Sequence, residues 1–126
     1  MKKILLTALL IASIFAGRSQ SLSFSGNFSN NKLQLNWSTS LNESTDRFEV
    51  EKSYDGINFT SSALVFTSEK KGPEDYMFSE KISASGPLYY RLKIISYEKT
   101  IRFSKVIYFP IIIDEKKAQK ANVTVL

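Results

Sequence analysis

The chain has 126 residues, 43% of them apolar, with 17 basic and 12 acidic residues and neither cysteine nor histidine. That length is one domain's worth. The two missing residue types exclude disulfides, Ser-His-Asp and Cys-His triads, His-containing zinc sites and thiol redox chemistry. The formal charge of +5 does not come from a basic cluster. Basic and acidic residues alternate along the chain, so no nucleic-acid footprint is expected.

Taken in chain order, residues 1–19 read as a cleaved secretory signal peptide. Lys2 and Lys3 form a basic start, Ile4 to Ala16 an apolar run, and Gly17 and Ser19 the small residues before a cut at Gln20. The apolar run is short for a membrane span, which needs ~20 such residues. No cysteine follows it to carry a lipid, so no membrane span or lipid anchor is expected after cleavage. Lys2, Lys3 and Arg18 leave with the signal, and the 17 basic residues fall to 14 against 12 acidic ones.

From Leu22 to Phe109 the dominant period is two. A first strand is expected near 22–28, and Asn30-Asn31 turns it into a second near 32–38, where Leu33, Leu35 and Trp37 alternate with Lys32, Gln34 and Asn36. Phe48 and Val50 alternate with Arg47, Glu49 and Glu51 in the next run. Asp55-Gly56 then reads as a two-residue hairpin turn, between a strand ending at Tyr54 and one beginning at Ile57. Lys71-Gly72-Pro73 and Ser85-Gly86-Pro87 break the later runs. In the strand at 88–95, Tyr90, Leu92 and Ile94 alternate with Arg91 and Lys93, and Glu98-Lys99 leads into a last strand at 100–109. Each run offers one apolar and one charged face, as half-buried antiparallel strands do. The expectation is an all-β fold: a seven-stranded antiparallel β-sandwich over residues 20–109. Its core would hold Leu33, Leu35, Trp37, Phe48, Val50, Tyr90, Leu92 and Ile94. Residues 110–126 read as a tail or linker, in which Ile111-Ile112-Ile113 could extend the last strand.

Several strings carry a family resemblance: Asn31-Lys32-Leu33-Gln34-Leu35-Asn36-Trp37-Ser38, Phe48-Glu49-Val50-Glu51-Lys52-Ser53-Tyr54-Asp55-Gly56, Tyr89-Tyr90-Arg91-Leu92-Lys93 and Phe103-Ser104-Lys105-Val106-Ile107. Over roughly residues 30–109 the chain resembles the fibronectin-type-III-like domain of exported Bacteroidetes proteins. That domain commonly precedes a C-terminal sorting domain of the type IX secretion system. The resemblance implies an immunoglobulin-like fold and a cell-envelope (periplasmic), cell-surface or secreted location. It also implies that 110–126 could be the truncated start of a sorting domain. Ser96-Tyr97-Glu98-Lys99 departs from the Asp and Gly-containing turn usual there. By the same resemblance, Tyr90 takes the place of the corner tyrosine whose hydroxyl bonds nearby backbone.

Carboxylates are the remaining catalytic candidates. Glu49 and Glu51 share a strand face, about 7 Å apart at Cα, and are read as a solvated face and not a catalytic pair. Glu74-Asp75 and Asp114-Glu115 lack the spacing of a calcium loop, so no metal or other cofactor is expected. Five Asn-x-Ser/Thr triplets begin at Asn27, Asn36, Asn42, Asn58 and Asn122 and are read as incidental. Nine Phe, six Tyr and one Trp exceed what a core of this size needs. Tyr54, Tyr76, Tyr89 and Tyr97 are candidates for a binding surface, and Phe78 for a loop-edge position. The expected function is that of a non-catalytic, exported structural or protein-interaction module whose partner is another envelope or extracellular protein. A carbohydrate-binding module using exposed aromatics, with a glycan as partner, is the alternative.

Overall fold

The computed structural model describes residues 22–113. The signal segment 1–19 and everything from Asp114 on, including the Asp114-Glu115 pair and Asn122, lie outside those residues. Eight strands are present: β1 (Leu22–Ser29), β2 (Lys32–Thr39), β3 (Thr45–Ser53), β4 (Thr60–Phe66), β5 (Glu74–Lys81), β6 (Gly86–Ser96), β7 (Ile101–Phe103) and β8 (Ile107–Ile111). A single 3-10 turn, Asn42–Ser44, is the one helical element among the described residues. The strands form two antiparallel sheets. One has the order β1-β2-β5. The other has the order β4-β3-β6, with both β7 and β8 on the far flank of β6.

The apolar alternation puts one face of each sheet against the other. Leu33, Leu35 and Trp37 of β2 meet Phe48 and Val50 of β3 and Tyr90, Leu92 and Ile94 of β6 in one buried cluster, closed by Phe24, Ile82, Leu88, Phe109 and Ile111. At its centre Trp37 stands edge-on to Phe48, with ring centroids 5.5 Å apart, and stacks with Tyr76 at 5.9 Å. Gly26 lets β1 approach the second sheet closely. A Cβ there would stand 2.8 Å from both Leu35 Cδ2 and Phe109 Cζ, so Phe109 reaches over β1 only because nothing projects from it.

The strand count is eight and not seven because the last strand is interrupted. Ser104 donates its backbone N–H to the Leu92 carbonyl at 2.9 Å. Its Oγ accepts the Leu92 N–H at 2.8 Å and donates to the Lys105 carbonyl. A hydroxyl thus takes the place of a ladder carbonyl, and pairing stops until Ile107. The final strand also continues past residue 109. Ile111 is buried in the core and pairs with Gly86, while Pro110 lies opposite Pro87. Neither proline has an N–H, so these two can face each other only as a non-hydrogen-bonded pair.

The turns differ from expectation in one place. The two-residue hairpin turn is at Asn30-Asn31, where both residues take positive φ (52° and 60°), as a mirror-image turn requires. Asp55-Gly56 instead belongs to a longer connection over 54–59. There the Asp55 carboxylate accepts the backbone N–H groups of Ile57 and Asn58, each at 2.8 Å, and the Asn58 amide. Ser53 Oγ accepts the Gly56 N–H at 2.9 Å. The bonds donated to Asp55, the backbone N–H of Asn58 first and the Ser53 hydroxyl last, hold its carboxyl well below the usual carboxylate range.

Candidate functional site

The outward face of the five-stranded sheet carries exposed apolar side chains that core packing does not account for. Residues at every second position of β3 and β6 put charges in its middle. Glu51 accepts from Arg91 Nε at 2.8 Å, and Glu49 Oε2 lies 3.8 Å from Lys93 Nζ. Arg47 pairs with Asp46 at 2.8 Å and lies 3.8 Å from Glu49. Glu49 and Glu51 are therefore each paired with a cation on the neighbouring strand.

Apolar side chains flank this ionic centre on both sides. On β4, Leu64 and Phe66 are 48% and 67% exposed; on β7, Ile101 and Phe103 are 54% and 50% exposed. Register places them in rows across the sheet. Leu64 is opposite Glu49, which is opposite Lys93, which is opposite Phe103. Phe66 is opposite Arg47, followed by Ile95 and Ile101. Ile95 is buried yet stands outside the core cluster, because its neighbours on this outer face cover it. The Arg91 guanidinium lies between two rings, 4.1 Å from the Phe59 centroid and 4.2 Å from that of Phe103. Stacking of this kind holds the cation without using its polar edge.

The four tyrosines do not form one surface. Tyr54 is exposed on the 54–59 connection, and Tyr97 is exposed at the β6–β7 hairpin, at the opposite end of β6. Tyr89 is half-buried and packs on Tyr108 at 4.9 Å. Tyr76 is an inward residue, not an outer one. It pairs with Trp37 across β2 and β5, so it shares the face that Trp37 buries. Its hydroxyl donates to Asn42 Oδ1. Phe78 likewise packs against the core, opposite Leu35. The residues that do assemble, Leu64, Phe66, Ile101 and Phe103, leave a readable trace. Ala63-Leu64-Val65-Phe66 is apolar at every position, the pattern of a strand covered on both faces, on what turns out to be an edge strand.

At one end of the sandwich Tyr90 does something other than bond nearby backbone. It donates to the Glu80 carboxylate, which crosses from the opposite sheet, and Lys52 Nζ reaches the same oxygen at 3.0 Å. A carboxylate is a stronger acceptor than a carbonyl, which accounts for the choice. Burial first, and then the Glu80 bond, pushes the Tyr90 phenol above its ordinary value of 10.0. A raised folded value means that this contribution is complete below pH ~10 and is lost as pH rises through the folded value. Chemical unfolding followed at rising alkaline pH should show stability falling above pH ~10, with Tyr90→Phe removing part of that slope. An unchanged slope in Tyr90→Phe would assign the alkaline loss elsewhere.

Two open clefts, of about 600 and 550 Å³, share Ile94 and Arg102; the second runs between the start of β1 and the segment Arg102–Lys105. Glu74 is engaged by Ser68 Oγ and by the Asp75 N–H, and these bonds lower its pKa. Among the described residues, no group of three or more acidic side chains gathers as a metal would require, and no helix is long and apolar enough to cross a membrane.

No protein-family model matches the chain, and no curated protein matches it in sequence. The fold is similar to parts of solved carbohydrate-acting enzymes. Pectate lyase Pel3 from Pectobacterium carotovorum aligns with TM-score 0.57 and 15% identity over 74% of this chain and 27% of that one. Pectate lyase PelI from Erwinia chrysanthemi, in complex with tetragalacturonic acid, aligns with TM-score 0.53 and 15% identity over 70% and 27%. A beta-1,2-glucanase from Parabacteroides distasonis aligns with TM-score 0.55 and 12% identity over 79% and 14%. The chain thus spans about a quarter or less of each of these structures. The likeness is one of fold: a two-sheet antiparallel β-sandwich.

Proposed function

We propose that this domain is a non-catalytic, exported protein-interaction module of the immunoglobulin or fibronectin-type-III-like kind, and that it binds through the outer face of its five-stranded sheet. The observation carrying this reading is the pair of apolar flanks, Leu64 and Phe66 on one side and Ile101 and Phe103 on the other. They are about half or more exposed around a paired ionic centre. Large apolar side chains left exposed on one sheet face support an interaction surface. The strand order supports the finer fold assignment. β7 and β8 lie on one flank of β6, and counted as one interrupted strand they leave seven. The basic start, apolar run and small residues of positions 1–19 support export.

The test is a photo-crosslinking amino acid at Leu64 in cells. A discrete protein adduct is expected there and not with the same probe at Asn27, on the other sheet. Equal labelling at both positions would reject the face.

A glycan-binding reading has one specific observation of its own, the Arg91 guanidinium stacked between Phe59 and Phe103, a cationic and aromatic pairing suited to acidic sugars. One similar fold belongs to an enzyme solved with tetragalacturonic acid. Chemical-shift changes at Phe59 and Phe103 on adding oligogalacturonate would favour it, and a silent spectrum would dismiss it.

A further inference from the structure

The outer face has a property that its composition alone does not show: it is complementary to itself. In two adjacent rows its central strands carry opposite charge. Glu49 and Glu51 are on β3, and Lys93 and Arg91 are on β6, each Glu directly opposite its cation in register. Its outer strands carry apolar side chains, Leu64 and Phe66 on β4 and Ile101 and Phe103 on β7. Consider a twofold axis lying in the plane of the face, parallel to the strands and between β3 and β6. Rotation about it sets β3 of a second copy over β6 of the first, and β4 over β7. Positions along the strand are preserved. Glu49 then faces Lys93 of the other copy and Glu51 faces Arg91, while Arg47, held by Asp46 and Glu49 of its own chain, lies over Ile95. Leu64 meets Phe103, and Phe66 meets Ile101.

Resting on the reading that this face is the binding surface, we infer that its occupant is a second copy of this chain, packed sheet on sheet about that twofold axis. Two sheets packed face to face lie ~10 Å apart with strands crossing at about 30°. With the strands of the two sheets crossing at the central row, Glu49 and Lys93 stay in register and rows toward the strand ends diverge. Each contact occurs twice, as in any isologous interface, so the two Glu–Lys and two Glu–Arg pairings select this arrangement over a shifted one. The apolar flanks then close over both sides of the ionic rows and keep water from them. A partner with a uniformly charged face would match only one of the two central strands. A copy of this face matches both.

The experiment is analytical ultracentrifugation of the purified protein from ~1 µM to ~1 mM, with charge-reversed variants. The wild type should reach twice the monomer mass. In a dimer of Glu49→Lys the central row sets cation against cation, and in a dimer of Lys93→Glu it sets carboxylate against carboxylate. Each variant alone should weaken association on the order of 100-fold or more. Mixed in equal amounts the two should associate again, since every reversed charge in one copy then faces its opposite in the other. Circular dichroism and thermal midpoints establish that each variant is folded. The double exchange Glu49→Lys/Lys93→Glu should behave as wild type. A wild type that stays monomeric, variants that remain dimeric, or a mixture that fails to associate would each overturn the inference. The Leu64 crosslink separates the two claims. An adduct with a different protein sinks the second copy but keeps the surface, and no adduct at all sinks both.

Discussion

Trp37→Ala is expected to abolish cooperative thermal unfolding, or to lower the midpoint so far that the folded state is only partly populated at room temperature. Trp37 is 2% exposed and lies between the sheets. It meets Phe48 edge-on and stacks with Tyr76, and Phe48 and Tyr76 also touch each other at 5.0 Å. Removing the indole empties the middle of a three-ring cluster. Neighbouring strands cannot close such a gap without breaking register on both sides of β2, which pairs with β1 and β5 along its whole length. A Trp-to-Ala cavity costs about 3–5 kcal/mol, against the ~5–15 kcal/mol that holds a domain of this size together. Trp37→Phe separates ring volume from polarity. The indole Nε1 is buried and has no hydrogen-bond partner among the described residues, so its loss gives up no bond. The Phe variant should therefore keep a sharp transition at a moderately lower midpoint. A full-height transition within a few degrees of wild type in Trp37→Ala would remove Trp37 from the centre of the core.

Why Trp37 could be found from the sequence, and the outer face could not, is a matter of how each is encoded. Burial on one side of a strand is written at every second residue, and Leu33, Leu35 and Trp37, or Tyr90, Leu92 and Ile94, spell it out without tertiary information. Pairing is written less directly. The mirror-image turn falls at Asn30-Asn31 instead of Asp55-Gly56, because Asp55 uses its carboxylate on the N–H groups of Ile57 and Asn58 and winds a longer loop. The break between β7 and β8 depends on Ser104 inserting its hydroxyl at Leu92, which no local pattern around Ser104 announces. The outer face needs two further pieces of knowledge, namely which strands are neighbours and in what register. Only the β3–β6 pairing brings Glu49 to Lys93 and Glu51 to Arg91, and these residues lie far apart in sequence. Residue type alone singles out the tyrosines. Tyr76 shows the weakness of that criterion, since its strand parity places it with Trp37.

Asn42 is the residue whose importance the sequence conceals most, because there it is only the first member of a triplet in a polar stretch. Asn42→Leu is expected to cost about 2–4 kcal/mol, a loss set by stranded partners more than by the missing side chain. Asn42 is 1% exposed. Its amide nitrogen donates to the carbonyls of Ser68 at 2.9 Å and Lys70 at 2.7 Å, and its oxygen accepts from Tyr76. Its own N–H reaches the Gly72 carbonyl at 3.0 Å. A single side chain thus ties the β2–β3 crossover to the β4–β5 loop and holds the tyrosine that supports Trp37. Leucine fills the space but leaves two carbonyls and a phenol without it. Asn42→Asp makes a sharper probe, since a carboxylate would set oxygen against the Ser68 and Lys70 carbonyls. Its penalty should be larger at neutral pH, with the group ionised, than near pH ~4, where protonation restores a donor. Combining Asn42→Ala with Tyr76→Phe should show coupling of roughly 1 kcal/mol or more, because the two share a bond. Hydrogen exchange should speed up over residues 67–73 before it does in β3 or β6. Additive effects, together with unchanged exchange in that loop, would mean that the crossover is held by packing alone and that the Asn42 bonds contribute little.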